Sequence, residues 1–221
     1  MMPDNDRVQK ASTGTDRLIL MLSRDAKVRV RFGQIIVQAA AVGLLAAAAS
    51  YLAMLHPRPD LGDVVETARV LFKFIVTVPL AVVMVGLLDR LGRPAAPLGW
   101  WPWLLGGIGA VLAAGVGAEL AMSPSAEWGA RLLGTNARYC LTFIPLIAIG
   151  PLVCFIAALR QGMPSRPGLA GAMAGIASGA MAAALYATHC PDDSPLFVAT
   201  WYTVSTCIVA ACGYVAGRRL L

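Results

Sequence analysis

The sequence predicts an all-α fold, a six-helix transmembrane bundle with a short cytoplasmic N-terminal segment and both termini inside. Three observations predict it. Of 221 residues, 58% are hydrophobic and only 14% charged, with a mean hydropathy of +0.69, far more apolar than a soluble domain. Six apolar stretches of about 20 residues can be drawn, each long enough at ~1.5 Å per residue to cross a ~30 Å hydrocarbon core. Basic residues also follow the parity of the connections. Thirteen of the 18 fall on the side of the termini: Arg7, Lys10, Arg17, Arg24, Lys27, Arg29, Arg31, Arg90, Arg93, Arg160, Arg166, Arg218 and Arg219. Arg58, Arg69, Lys73, Arg131 and Arg138 fall on the other, so the positive-inside rule places both termini in the cytoplasm. The net charge of +6 is thereby explained by topology, and no direct nucleic-acid partner is needed.

Residues 1–32 are the one sizeable extramembrane piece. Met1 to Thr15 is polar and expected to be disordered. Asp16 to Val30 is expected to form a short amphipathic helix, with Leu18, Ile19, Met21 and Leu22 on one side and Arg17, Arg24, Asp25 and Lys27 supplying charge. Such a segment suits a groove on a partner or a lipid surface equally well. The polar lead before the first apolar stretch is unlike a cleavable signal, despite the alanine run Ala46 to Ala49, so that stretch reads as an uncleaved anchor.

The transmembrane domain, 33–217, is expected to contain spans at Gly33 to Leu55, Val70 to Leu88, Trp100 to Met122, Tyr139 to Leu159, Gly168 to Ala187 and Leu196 to Gly217, leaving 218–221 as a cytoplasmic end. His56 to Asp60 reads as a turn, and Asp63 to Lys73 as an amphipathic run into the second span. Trp100, Trp101, Trp103 and Trp201 sit where interfacial aromatic belts are expected. Ser123 to Arg138 should carry a short surface helix, and Pro145 and Pro151 favour kinks in span four. Gly171, Gly175 and Gly179 form a small-residue face on span five, and Gly213 and Gly217 repeat the spacing on span six. This pattern serves helix packing inside the bundle or a homodimer seam.

Chemistry concentrates in His189-Cys190-Pro191-Asp192-Asp193-Ser194-Pro195, a polar island between the last two spans. Of five cysteines, Cys140 and Cys190 fall on the same outer face although fifty positions separate them. Cys154, about 21 Å further along its helix, and Cys207 and Cys212 within span six read as small apolar residues. In an oxidising periplasm Cys140 and Cys190 suit a permanent disulfide or a redox- or metal-responsive pair. In the second case His189, Asp192 and Asp193 could add ligands for a soft or borderline metal bound transiently. No cofactor is required. Phosphate loops, zinc-protease motifs and nucleophile elbows are missing from the sequence, so an enzyme is not expected. A small transporter or metal-efflux component is the alternative, but Lys73 and Glu119 fall toward the outer ends of their spans and Asp89 and Arg90 at the inner edge, where they read as interface residues rather than as a polar path. His56 and His189 both fall in outer loops, which leaves a membrane haem enzyme without an axial pair across the bilayer.

Several blocks carry a family resemblance: Arg17-Leu18-Ile19 through Asp25-Ala26-Lys27-Val28-Arg29, Asn136-Ala137-Arg138-Tyr139-Cys140, and above all Thr188-His189-Cys190-Pro191-Asp192-Asp193-Ser194-Pro195-Leu196-Phe197, followed by Trp201-Tyr202. Across essentially its whole length the chain resembles the NrsF family of bacterial membrane anti-sigma factors, departing from many members in having Lys27 where a proline precedes the Val-Arg of the tail. The resemblance implies an inner-membrane inhibitor that holds an extracytoplasmic-function sigma factor until a heavy-metal or oxidative signal arrives. It also implies two outward-facing sensor cysteines, which by matching motif are Cys140 and Cys190. The partner-binding candidates are then Leu18, Ile19, Met21, Leu22 and Asp25, with membrane lipid as a second partner and a homodimer as a further association.

Overall fold

A bilayer interior offers no water to backbone N–H and C=O groups, so each apolar stretch must satisfy its own, and helices do so. The structure, a computed structural model, describes residues 31–93 and 96–221. The expected tail helix and its candidates Leu18, Ile19, Met21, Leu22 and Asp25 lie outside the described residues. Among the described residues there is no β-strand. The spanning helices are α1 (Phe32–Met54), α3 (Ala68–Leu91), α4 (Trp101–Met122), α6 (Ala137–Leu159), α7 (Pro167–Tyr186) and α8 (Pro195–Leu220). Each is long and apolar enough to cross a membrane. Their bounds match the six expected stretches to within a few residues.

Two short pieces lie between them, α2 (Leu61–Val64) and α5 (Trp128–Leu133), the latter preceded by a 3-10 turn at Ser125–Glu127. The amphipathic run expected from Asp63 to Lys73 is broken. Thr67 takes an extended conformation (φ −70°, ψ 141°), its hydroxyl donates back to the Val64 carbonyl (2.6 Å), and a new helix starts at Ala68. Prolines open α7 and α8, where the missing N–H has no helical acceptor to lose. Pro145 and Pro151 are both carried inside α6.

The small-residue pattern is spent inside the molecule. A Cβ added to Gly171 would strike the Gly213 carbonyl and Gly217, one on Gly175 would strike the Val209 carbonyl, and one on Gly217 the Pro167 carbonyl. α7 and α8 therefore meet backbone to backbone, the contact by which helices associate in lipid. Gly43 of α1 takes Pro151 of α6 in the same way, and Gly150 takes Ala46. α7 is the most deeply buried span and α4 the least, with Glu119 its one buried residue. α4 is held by Trp101 filling the space over Gly86 and by Phe72 of α3 filling that over Gly115. Trp100 and Trp103 are exposed, as an interfacial belt requires.

The connections gather at two ends. At one, the Met163 amide donates to the Gly92 carbonyl (3.2 Å), the Phe32 ring packs over Gly92 and Gly162, and Arg160 Nε donates to the Leu220 carbonyl (3.2 Å). At the other, the α1–α2 loop, the approach to α6 and the α7–α8 loop are tied to one another. One core cluster belongs to each end. Ile36, Leu88, Phe155 and Leu159 lie in the first, and Tyr51, Cys140, Ile144, Tyr186, Cys190 and Phe197 in the second.

Candidate functional site

The second core cluster surrounds a pair of thiols. α7 ends when the His189 and Cys190 amides both bond back to the Tyr186 carbonyl (2.9 and 3.0 Å), and Pro191 cannot extend the helix. The chain then runs extended through Ser194 (φ −68°, ψ 131°) until Pro195 starts α8. This short loop crosses the end of the bundle and carries Cys190 inward, where it is wholly buried. Cys140 stands in the first turn of α6 and is equally buried. Cys140 and Cys190 lie in this one cluster, neither is in a disulfide, and Cys190 Sγ donates to the Asp192 carbonyl at 4.0 Å. The hydroxyls of Tyr186 and Tyr202 are buried in the same cluster without a hydrogen-bond partner.

The loop's two carboxylates hold this geometry in different ways. Asp192 accepts from the Thr135 and Asn136 amides (3.0 and 2.8 Å) and from Asn136 Nδ2 (3.0 Å). It supplies the charged cap that the start of α6 needs, where unpaired N–H groups and the helix dipole favour an anion. The cap lies four residues before Cys140 and two after Cys190, so one carboxylate fixes the spacing between both thiol-bearing segments. Gly134, at φ +55°, admits this approach, since a Cβ there would meet the Phe197 ring and the Asp192 carboxyl.

Asp193 faces the other way. Its Oδ1 meets Lys73 Nζ at 2.5 Å and its Oδ2 meets Arg58 Nη1 at 3.0 Å. Lys73 also donates to the Cys190 carbonyl at 2.8 Å. Arg58 is shared with Asp60 (2.7 Å), and the pairing with Asp60 first and Asp193 next raises its already high pKa while lowering that of Asp60. The Cys190 thiol is held below the usual thiol range. The neighbouring Cys140 thiol is the largest cause; burial opposes it, and the Lys73 charge and the Asp192 backbone add to it.

The loop is strapped to the α1–α2 connection as well. The Arg58 amide donates to the Thr188 carbonyl (3.0 Å), the Tyr51 hydroxyl shares a 2.6 Å hydrogen bond with Thr188 Oγ1, and His189 Nδ1 lies 2.7 Å from the His56 carbonyl. From α8, Ser205 Oγ donates to the Cys140 carbonyl (3.1 Å) and Trp201 Nε1 to the Leu132 carbonyl (2.8 Å). Between these contacts α8 widens into a π turn at Val198–Tyr202, a local defect of the kind that gathers at functional sites.

Of the sequence candidates, the fold joins Cys140 and Cys190. It sends His189, Asp192 and Asp193 to three separate partners, and among the described residues no three His, Cys, Asp or Glu side chains stand close enough to hold a metal ion. Cys154 is partly buried, and Cys207 and Cys212 are exposed on α8, apart from the pair.

Two expectations are corrected. Lys73 is not an interface residue: it is 0% exposed and paired across the site. Glu119 is likewise buried, held by Arg131 at 2.6 Å and Arg69 at 3.5 Å. The signal was present in the sequence, because an ionisable group within an apolar helix is costly unless it meets a partner. What hid it was the partner's position, 120 residues away in the chain. Arg58, Thr135 and Asn136 were missed for the same reason.

The family described as "Negative regulator of sigma F" (NrsF) matches residues 22–221. The chain is 35% identical over 185 residues to the "Anti-sigma-F factor NrsF" of Caulobacter vibrioides (strain NA1000 / CB15N), covering 82% of this chain and 86% of that one. It is 31% identical over 189 residues to the "Probable anti-sigma-F factor NrsF" of Azospira oryzae (strain ATCC BAA-33 / DSM 13638 / PS), covering 83% and 87%. No solved structure matches. With the match running through every span and through both thiol-bearing segments, the chain belongs to the NrsF family of negative regulators of sigma F.

Proposed function

We propose that this protein is an inner-membrane anti-sigma factor that holds an extracytoplasmic-function sigma factor and releases it when Cys140 and Cys190 are modified by an oxidant or a soft metal. The carrying observation is the buried pair of free thiols brought into one cluster by α6 and the α7–α8 loop. The orientation follows from charge. Arg31, Arg90, Arg93, Arg160, Arg166, Arg218 and Arg219 gather at the end of the bundle away from the thiols, which puts that end in the cytoplasm and the thiols toward the periplasm. The sigma factor docks on the cytoplasmic tail, with Leu18 and Leu22 as apolar anchors one helical turn apart, beside Ile19, Met21 and Asp25.

Joining the two free thiols by an S–S bond or by metal–thiolate bonds changes the spacing of two rigidly seated segments. Neither segment can yield alone, because α6 is capped by the same loop that carries Cys190, and α7 is locked to α8 along the glycine seam. The displacement is therefore passed to whole helices, whose other ends lie at the cytoplasmic face. Turning a mostly bound partner into a mostly free one takes a differential affinity of ~5.5 kcal/mol.

The test is co-purification of the sigma factor with the full chain from membranes, before and after oxidant or cadmium. Cys140→Ser with Cys190→Ser should retain the partner and lose the release. Normal release from the double variant would overturn the sensor assignment, and failure of the unmodified chain to retain any sigma factor would overturn the anti-sigma role.

A further inference from the structure

Lys73 lies in the second turn of α3, wholly withdrawn from water. Its ammonium grips the α7–α8 loop at two points, the Cys190 carbonyl (2.8 Å) and Asp193 Oδ1 (2.5 Å). The hold is on the backbone of the thiol-bearing residue and on a carboxylate three positions further along. A hydrocarbon side chain here would let the loop slide past α3. A buried ammonium does not, because a loop that moved away would strand a charge with no water to take it. Loop and helix therefore move together.

The inner half of α3 is embedded, through Met84, Leu87 and Leu88, in the core cluster that also holds Ile36 and Phe155. Close packing of this kind passes a displacement on rather than absorbing it. At its far end, about 29 Å from Lys73 at helical rise, α3 seats the first two residues of α1. The Phe32 ring fills the space over Gly92, and the Asp89–Arg93 ion pair (2.6 Å) lies against Gly33, where a Cβ would stand 2.8 Å from Arg93 Nη2. The same ring packs over Gly162, whose loop is tied to the end of α3 by the Met163 amide on the Gly92 carbonyl (3.2 Å). Phe32 follows the N-terminal tail directly in the chain. One helix thus holds the thiol loop at one end and the root of the tail at the other.

We propose that Lys73 is the coupling residue of the response: it fastens the thiol loop to α3, so that joining Cys190 to Cys140 shifts α3 and loosens its seat on Phe32 and Gly33, where the tail meets the bundle. The inference rests on the thiol-pair and tail-docking readings above, and it names the path between them. α6 and α7 lead into the two thiol segments, but it is α3 whose end covers the start of α1, and Lys73 is the α3 side chain bonded to the loop. The covalent change is the S–S bond. Each sulfur gives up its proton and one electron, and the oxidant takes up two of each. The two states of the coupled element are the free-thiol arrangement described above and the one drawn together by that bond.

The experiment uses the full-length chain in lipid nanodiscs, without a sigma factor, and diamide as the oxidant, whose N=N bond takes up the two electrons and two protons as the S–S bond forms. Mass spectrometry reads the disulfide. Hydrogen exchange reads the Met163 amide and those of Ile36 and Val37, whose helical acceptors are the Phe32 and Gly33 carbonyls. In the unmodified chain, oxidation should speed exchange at these amides about tenfold. Lys73→Met should form the disulfide to the same extent and lose that difference, and Lys73→Arg should restore most of it. A lysine that only stabilised the fold would raise exchange in both redox states and leave the difference between them unchanged. That result overturns the proposal, as does an unmodified chain that forms the disulfide with no change at these amides. Should the loss of one charge prevent folding, Lys73→Met with Asp193→Asn removes both and must show the same uncoupling. A chain that forms no disulfide with diamide fails the thiol-pair reading, and this inference with it. A failed anti-sigma role would appear in the co-purification experiment alone, because the exchange readout needs no partner.

Discussion

Asp192 and Asp193 are adjacent in the chain and do different work, one as a helix cap for α6 and the other as the counter-charge to Lys73 and Arg58. Asp192→Asn keeps the shape but removes the charge that faces the α6 N-terminus and turns one acceptor oxygen into a donor. It should cost roughly 1–2 kcal/mol, seen as a lower apparent Tm in detergent. Because the cap also sets the thiol spacing, the same variant should form the Cys140–Cys190 disulfide more slowly with a mild oxidant. An unchanged rate alongside a lowered Tm would mean that the cap stabilises α6 without gauging the pair. Gly134 belongs to the same geometry. Its φ of +55° and the closeness of Phe197 and Asp192 leave no room for a Cβ, a constraint that its sequence context, a lone glycine after a short helix, only partly conveys.

Among elements, glycine means different things on different helices. On α7 and α8 it lets two backbones touch, and on the outer face of α4 it lines nothing: a Cβ at Gly106 or Gly109 would meet no atom within 4 Å. Gly171→Ala should therefore lower stability by about 1–3 kcal/mol through forced separation of α7 and α8. Gly106→Ala should be neutral or slightly stabilising through its helix propensity. Thermal unfolding of both variants in one detergent checks the contrast, and equal effects would refute the seam's role. The seam spacing was legible in the sequence because a four-residue repeat of small residues marks one helix face. Which helix filled it was not, since a homodimer partner and span six present the same kind of surface to that face.

For the whole molecule, the two ends are chemically opposed: a buried thiol and ion-pair layer at one, and a collar of arginines at the other. The proposed signal must travel between them, along helices such as α3, whose length from Lys73 to Leu91 is about 27 Å at helical rise. Docking and sensing should therefore be separable. Leu18→Asp with Leu22→Asp should lower sigma-factor retention at least tenfold while leaving Cys140–Cys190 oxidation of the purified chain unchanged. Removal of Met1 to Val30 should do the same. Retention by the truncated chain would move the docking site to the bundle's short loops, Asp89 to Gly99 and Arg160 to Pro167.

The sequence by itself determined the six spans, their approximate bounds and the placing of Cys140 and Cys190 toward one face. Those follow from hydropathy, helical rise and chain parity, which are properties of local stretches. It also carried the family blocks that set the functional reading. Only the tertiary structure decided what surrounds the thiols. That Lys73 turns inward to Asp193, that Asp192 caps a helix begun 55 residues earlier, and that Glu119 is buried under Arg131 are contacts between distant parts of the chain. A charge placed near the end of an apolar helix reads alike in sequence whether it reaches for water or for a partner. The choice is made by which neighbouring segment brings an opposite charge within hydrogen-bonding distance, because in the low-dielectric interior only a paired charge is tolerated.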